Sequence, residues 1–155
     1  MGQGFLNVTP LQMTNLYSLI ANRGNRYQPH LLLEIKRPDG SILYSYEPKT
    51  IGTLPISEKN IEIVRDALHQ VVLRGTGRNA FISSFEAAGK TGTAQNPSGK
   101  PHAWFMCFAP YQNPKIAVGI FVEHGEHGDK IAAQTAHQIL EWYYSHRVEH
   151  PKNVM

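Results

Sequence analysis

The residues best equipped for chemistry in this chain lie in one short stretch, Ala88-Gly89-Lys90-Thr91-Gly92-Thr93-Ala94-Gln95. The stretch combines one ammonium group, two hydroxyls and several small residues, so it offers a fixed charge, hydrogen-bond donors and an accessible backbone. A Lys-Thr-Gly sequence also occurs by chance in surface turns. Its interpretation therefore depends on the segments around it.

The flanking segments predict a buried sheet. Downstream lie two strongly apolar runs, Ala103 to Ala109 and Ile116 to Val122, and strands without alternation are typical of sheets covered on both faces. The linker between these two runs is short enough for an antiparallel hairpin. A second, peripheral hairpin is predicted over Leu31 to Lys36 and Ile42 to Tyr46, with Pro38-Asp39-Gly40 as its turn.

Three segments have the start signals, periodicity and stop signals of helices. The first begins with the capping sequence Thr9-Pro10-Leu11-Gln12 and ends at Gly24. The second begins after Ser57 and stops at Gly75, and the third runs from about Lys130 to Ser145. The apolar positions predicted to face the core are Leu16, Leu19 and Ile20 in the first, Ile61, Val64, Leu68 and Val71 in the second, and Ala132, Ala136, Ile139, Leu140 and Tyr143 in the third.

Five pieces of sequence occur in a specific order along the chain. They are Gly2-Gln3-Gly4, Thr9-Pro10-Leu11-Gln12, Ala88 to Gln95, His102-Ala103-Trp104-Phe105 with Phe108-Ala109-Pro110, and Val122-Glu123-His124-Gly125. This ordered set resembles the C-terminal half of the transpeptidase domain of class B penicillin-binding proteins, over roughly positions 2 to 145. Within that family it is most similar to the penicillin-binding protein 2 group of the rod-elongation system.

The resemblance implies an α+β fold of three layers, in which an antiparallel sheet carries helices on both faces. The family sheet has strands before the nucleophile, so this chain is expected to supply only the C-terminal three strands. We expect residues 1–146 to form the C-terminal portion of the domain and residues 147–155 to form a flexible tail. Because a truncated sheet has two open edges, the isolated chain should be marginally stable and should need its N-terminal complement or a second copy.

The resemblance also implies roles for the Lys-Thr-Gly strand as one wall of an active cleft. Lys90 would place a positive charge beside the nucleophile and the substrate carboxylate, and Thr91 and Thr93 would donate hydroxyl hydrogen bonds to that carboxylate. Gly92 would let a substrate peptide pair with the strand edge, and the Thr93 N–H would be one oxyanion-hole donor. The Gly75-Thr76-Gly77 loop would lie near the cleft entrance.

The family nucleophile is a serine followed three positions later by a lysine, and this sequence has none. The eight serines are Ser18, Ser41, Ser45, Ser57, Ser83, Ser84, Ser98 and Ser145, and none begins Ser-x-x-Lys or Ser-x-Asn. We therefore expect the chain to be inactive alone and to act as part of a serine-type D-Ala-D-Ala transpeptidase. The alternative within the same fold is a non-catalytic penicillin-sensing or partner-binding domain.

Parts of this sequence also resemble two other kinds of functional site, a phosphate-binding loop and a zinc site. Ser84 to Thr91 differs from the phosphate-loop pattern only in its first residue, but such a loop must open a helix, and Asn96-Pro97-Ser98-Gly99 follows here. Glu123 to Asp129 gathers two histidines and three acidic residues that could chelate zinc, although its glycines are more typical of a solvated turn. His102 is either structural or part of the cleft.

Composition limits the remaining classes of function. A chain of 155 residues fits one domain, and its net charge of +3, with no run of five like charges, disfavours nucleic-acid partners. Cys107 is the sole cysteine, which excludes an internal disulfide, and no apolar run reaches membrane-spanning length. The resemblance implies no cofactor and no metal. Its implied partners are the N-terminal remainder of the protein, peptidoglycan stem peptides, β-lactams and the rod-elongation machinery, in the periplasm at the bacterial inner membrane, with the anchor outside this chain.

Overall fold

A computed structural model describes residues 4–149 as three helices and seven strands. They occur in the order α1 (Pro10–Ala21), β1 (Asn25–Tyr27), β2 (Glu34–Lys36), β3 (Ile42–Ser45), β4 (Thr50–Thr53), α2 (Glu58–Arg74), β5 (Ala88–Ala94), β6 (His102–Ala109), β7 (Ile116–Val122) and α3 (Ala133–Tyr143). Short helical turns lie at Arg78–Ala80, Gly128–Ala132 and Tyr144–Glu149. Gly2 and Gln3 of the predicted N-terminal turn, and residues 150–155 of the predicted tail, lie outside the described residues.

The main sheet has three antiparallel strands in the order β5-β6-β7. Its register pairs Gly92 of β5 with Trp104 of β6. The central strand β6 is buried over residues 105–109, as its unbroken apolar sequence predicts. The same prediction is wrong for β7, where only Val118 and Ile120 are buried, because β7 is an edge strand and its second face is only partly covered.

Helices cover both faces of this sheet, which confirms the three-layer α+β fold. On one face, Phe105 and Cys107 of β6 join a core that contains Leu140 of α3. On the other face, Met106 packs with Tyr17 of α1. Removing either helix would expose one apolar face of the sheet to water. Burial of a side chain as large as that of Leu140 contributes about 2 kcal/mol to the stability of the fold.

The buried face of α2 differs from the predicted one. Ile61 is buried as expected, but Val64 is exposed, and the remaining buried positions are Arg65, His69 and Val72. Two of the four buried side chains are therefore polar. A pattern that counts only apolar residues misses such a face, because it cannot register a polar group whose hydrogen-bond partners lie elsewhere in the chain.

The other two helices show smaller departures. In α1, Leu19 is buried as predicted, but Leu16 is exposed and Tyr17, which was not predicted, is buried. In the C-terminal helix the predicted core residue Leu140 is buried and the predicted core residue Ile139 is exposed. The C-terminal helical segment begins earlier than expected, with the π-type turn Gly128–Ala132.

Two small antiparallel ladders lie outside the main sheet. The pairing of β2 with β3 confirms the peripheral hairpin, although both strands are shorter than predicted. The pairing of β1 with β4 was not predicted, because these strands have three and four residues, all exposed, and so carry no alternation of burial. Within residues 4–149, no helix is long and apolar enough to cross a membrane.

Candidate ligand-binding site at the sheet edge

The Lys-Thr-Gly sequence lies on β5, an edge strand of the main sheet. Lys90 pairs with Met106 and Thr91 pairs with Phe105. Directly paired residues of an antiparallel ladder share a face, and Met106 and Phe105 belong to the two opposite cores. The Lys90 side chain therefore starts on the α1 face of the sheet, and the Thr91 side chain starts on the α3 face.

The ammonium group of Lys90 nevertheless reaches Thr91. Its Nζ donates to the Thr91 carbonyl oxygen at 2.9 Å and lies 3.4 Å from the Thr91 hydroxyl oxygen. The lysine side chain is exposed, so these contacts hold the charge beside the strand rather than burying it. A positive charge and a hydroxyl are thereby presented together, although strand alternation sends their side chains to opposite faces.

The Thr91 hydroxyl has a second partner on the loop that follows α2. The Thr76 hydroxyl oxygen lies 2.8 Å from the Thr91 hydroxyl oxygen, and either group can be the donor. This contact brings the Gly75-Thr76-Gly77 loop against the site strand. The resemblance implied a position near the cleft entrance for this loop, but no chemical role for Thr76.

Gly92 lies where the backbones of two segments approach closely. A Cβ at Gly92 would be 3.2 Å from the Trp104 Cβ, and a Cβ at Gly128 would be 2.3 Å from the Gly92 carbonyl oxygen. The turn that opens the C-terminal helix thus rests directly on the backbone of the site strand. Glycine at position 128 is required for this contact because any larger residue would collide with main-chain atoms.

A cleft of about 230 Å³ opens between α1 and this strand. Its walls include Lys90, Thr91 and Gly92 from the strand, with mainly apolar side chains opposite them, namely Val8, Met13, Tyr17, Trp104 and Met106. Among the described residues that line it, Lys90 alone carries a formal charge at neutral pH, and burial raises the pKa of the Tyr17 phenol to about 12. The cleft therefore suits a ligand that combines an anionic group with apolar surface.

Thr93 is the fourth predicted site residue, and its position differs from those of the other three. It lies on the same strand and is exposed, but it is not among the residues that line the cleft. The structure thus brings Lys90, Thr91 and Gly92 to one cleft wall. Thr93 lies just beyond that wall, two residues along the strand from Thr91.

Arg65, which sequence analysis missed, fixes the helices behind the strand. Its buried guanidinium donates to the carbonyl oxygens of Ala21 at 2.7 Å and Tyr111 at 2.6 Å. It also lies over the Phe108 ring, with its Cζ 5.0 Å from the ring centroid. The bond to Ala21 satisfies a carbonyl at the C-terminal end of α1, where a cation is favoured. One side chain thereby ties α1 and α2 to the loop that follows β6.

His69, one turn further along α2, also connects this helix to other segments of the chain. Its Nδ1 lies 3.1 Å from the carbonyl oxygen of Ala87, the residue before β5. Its ring stacks on Tyr111 with a centroid distance of 4.2 Å, and its Nε2 lies 3.3 Å from a carboxylate oxygen of Glu86. The start of the site strand is thus anchored to α2 by a histidine that the apolar pattern did not include.

The structure does not support the metal and phosphate-loop alternatives. Among residues 4–149 no three histidine, cysteine or acidic side chains are grouped to hold a metal ion. His102 accepts a hydrogen bond from the His124 backbone N–H at 3.1 Å, packs against the Phe121 ring and is not among the residues that line the cleft at β5. The phosphate-loop hypothesis is wrong because residues 88–94 form a strand rather than a loop that opens a helix.

A larger cleft, of about 800 Å³, lies beside the β2–β3 hairpin. It is lined by residues from the segments 28–32 and 44–49. It shares no lining residue with the cleft at β5, so its volume says nothing about the surroundings of Lys90.

The chain is similar to known proteins of one family. The family model described as the penicillin binding protein transpeptidase domain matches residues 1–141. The peptidoglycan D,D-transpeptidase MrdA of Haemophilus influenzae is 32% identical over 95% of this chain, and that of Acinetobacter baumannii is 31% identical over 97%. The matched parts are 25% and 24% of those proteins, so the chain spans about a quarter of the length of these curated relatives.

Solved structures show the same similarity in three dimensions. A crystal structure of penicillin-binding protein 2 from Pseudomonas aeruginosa is 35% identical, with a TM-score of 0.74 over 99% of this chain and 34% of that one. The structure of penicillin-binding protein A from Mycobacterium tuberculosis is 28% identical, with a TM-score of 0.80 over 90% of this chain and 35% of that one.

Proposed function

Because the chain belongs to the penicillin-binding protein transpeptidase family, we propose that it is the C-terminal portion of the transpeptidase domain of a peptidoglycan D,D-transpeptidase. The observation that carries this proposal is the wall formed by β5, where the Lys90 ammonium and the Thr91 hydroxyl meet. A stem peptide ends in a carboxylate. A fixed charge and a hydroxyl donor at one strand edge are the groups that would bind it.

The proposed reaction is serine acyl transfer. A serine supplied by a portion of the protein outside this chain attacks the carbonyl of the D-Ala-D-Ala peptide bond, which breaks and releases the terminal D-alanine with the serine proton on its amine. The amine of a second stem peptide then attacks the acyl-enzyme ester, forms the cross-link and returns a proton to the serine oxygen. Lys90 holds the substrate carboxylate together with the hydroxyls of Thr91 and Thr93. The Thr93 N–H acts as one oxyanion-hole donor, a contribution of about 3 kcal/mol to lowering the barrier. β-Lactams acylate the same serine.

Within the family we assign the chain to the penicillin-binding protein 2 group. The assignment is supported by the two MrdA relatives and by the Pseudomonas aeruginosa structure, whose similarity covers nearly the whole of this chain. It carries further proposals about context. The domain would lie in the periplasm at the inner membrane, and its partners would be the nascent peptidoglycan and the rod-elongation machinery.

The test is labelling with a fluorescent penicillin, with this chain and the N-terminal portion of the protein supplied separately and together. We expect no label on this chain, and label on the N-terminal portion only when both are present. Lys90→Ala should reduce the labelling rate by about 100-fold. Lys115→Ala, which changes an exposed lysine in the β6–β7 linker, should leave the rate unchanged.

Two results would contradict this proposal. Label on this chain alone would show that it contains its own nucleophile. An N-terminal portion that lacks Ser-x-x-Lys and stays unlabelled in the mixture would favour the second candidate, a non-catalytic penicillin-sensing or partner-binding domain of the same fold. The absence of any Ser-x-x-Lys in this chain keeps that candidate open.

A further inference from the structure

Thr76 is a polar residue within hydrogen-bonding distance of the proposed site, and the proposed function does not use it. It lies in the loop between α2 and β5, and its hydroxyl oxygen is 2.8 Å from that of Thr91. The two residues are 15 positions apart, so the contact is made by the fold and not by a local turn. Both are threonines, and each hydroxyl can donate one hydrogen bond and accept two.

The loop that carries Thr76 is built so that it has little freedom. The N–H groups of Gly75 and Gly77 both donate to the Val71 carbonyl at 3.0 Å, which wraps the loop tightly over the last turn of α2. A Cβ at Gly75 would lie 2.9 Å from Val71 main-chain atoms, and a Cβ at Gly77 would lie 3.3 Å from the Phe105 ring. The end of α2 therefore sets where the Thr76 hydroxyl is presented.

The hydrogen bonds around the Thr91 hydroxyl determine what it can offer a ligand. Lys90 Nζ, at 3.4 Å, can only donate. If Thr76 also donates to the Thr91 oxygen, both of its lone pairs are used and its proton remains for an outside acceptor. If Thr91 donates to Thr76 instead, its proton is not available for a hydrogen bond to a ligand. An anion beside Thr91 selects the first arrangement.

We propose that Thr76 is a positioning residue, which donates its hydroxyl hydrogen bond to Thr91 and so leaves the Thr91 proton directed at the carboxylate of the bound substrate or β-lactam. The inference rests on the proposed function. It adds a residue outside the Lys-Thr-Gly strand to the recognition of the anionic group. In this arrangement a chain of donors runs from Thr76 through Thr91 to the ligand, and all of them point towards the negative charge.

The test uses the full-length protein and two probes that differ in one charge, a penicillin with its free carboxylate and the methyl ester of the same penicillin. The measurement is the second-order rate constant of acylation. Thr76→Val, which keeps the shape but removes the hydroxyl, should slow acylation by the free acid about tenfold, as expected for the weakening of one hydrogen bond to a charged group. It should change the rate with the ester by less than about twofold.

Two further variants make the result specific. Thr76→Ser keeps the hydroxyl and should restore the rate with the free acid. Thr135→Val makes the same chemical change on α3, where the Thr135 hydroxyl donates to the Ile131 carbonyl of its own helical segment, and should leave both rates unchanged. Thermal unfolding of each variant would be recorded beside the kinetics.

Several outcomes would overturn the inference. If Thr76→Val acylates with the free acid as fast as the unaltered protein, the Thr76 hydroxyl does not contribute. If it slows both probes equally, or if Thr76→Ser fails to restore the rate, the residue acts only on the structure of the loop. If the unaltered protein is not acylated by either probe, the proposed function itself fails, and the inference fails with it.

Discussion

The guanidinium of Arg65 donates a hydrogen bond of 2.6 Å to the Tyr111 carbonyl, which joins the middle of α2 to the loop after β6. Arg65 is 1% exposed, and its other contacts include the Ala21 carbonyl, the Phe108 ring and the Glu62 carboxylate. A buried charge of this kind is favourable only while its partners remain in place. The bonds from Arg65 therefore predict a large effect of substitution.

Arg65→Met should lower the free energy of unfolding by about 3–5 kcal/mol, because it leaves the carbonyl groups of Ala21 and Tyr111 without their donor. The measurement is urea unfolding of the protein. Arg23→Met is the matched control, since Arg23 binds the same Glu62 carboxylate at 2.8 Å but is exposed. It should cost less than about 1 kcal/mol. Equal losses in the two variants would show that the buried bonds of Arg65 contribute little.

Gly128→Ala should displace the C-terminal helix from the sheet. Its Cβ would lie 2.3 Å from the Gly92 carbonyl oxygen and 2.5 Å from that of Trp104, and main-chain atoms cannot rotate away. We expect a loss of at least about 3 kcal/mol in unfolding free energy, at the upper end of the range for overpacking. Gly4→Ala, where no atom lies within 4 Å of the added Cβ, should change it by less than about 0.5 kcal/mol. A tolerated Gly128→Ala would contradict the close contact.

Two valines of α2 that differ in burial distinguish the observed core from the predicted one. Val72 is fully buried, whereas Val64 is 44% exposed. Val72→Ala should cost about 2 kcal/mol of unfolding free energy through lost burial and a cavity, and Val64→Ala should cost less than about 1 kcal/mol. The comparison needs only the two melting curves. A larger loss for Val64→Ala than for Val72→Ala would instead support the buried face that apolar periodicity predicts.

Tyr111 should link stability to alkaline pH. The hydrogen bond that its phenol donates to Asp66, together with burial, raises the pKa of Tyr111 from 10.0 to about 12. A raised folded-state pKa means that the contribution of Tyr111 is fully present below pH 10 and is lost as the pH rises through about 12. The melting-temperature difference between the unaltered protein and Tyr111→Phe should be constant up to pH 10 and shrink above it. A difference that already shrinks at neutral pH would contradict this assignment.

Cys107 provides a probe for the predicted marginal stability of the isolated chain. It is fully buried, and burial raises the pKa of its thiol to about 12, so alkylation at neutral pH requires opening of the sheet. Adding the N-terminal portion at 100 times its dissociation constant should slow alkylation by about 100-fold. Slow alkylation of the chain alone, unchanged by its complement, would show that the three-stranded sheet is stable by itself.

Parts of the fold could be predicted from local sequence and parts could not. The unbroken apolar run of β6 indicated a buried strand, because that signal lies within the element itself, whereas the strand that carries Lys90 was expected only from the resemblance to the family. The buried face of α2 could not be predicted, since the acceptors of Arg65 lie 44 and 46 residues away. The contact between Thr76 and Thr91 was missed for the same reason. A short polar residue between glycines gives no indication of which distant group it will meet.

The packing of Gly128 on Gly92 has a consequence for the order in which the protein is made. A ribosome must synthesise the chain beyond residue 128 before the backbone of the site strand is covered, so the wall around Lys90 stays incomplete until the turn Gly128–Ala132 has been made. Nascent chains arrested before that point would expose Phe105 and its neighbours to proteases and chaperones. Chains arrested after α3 has emerged would be protected.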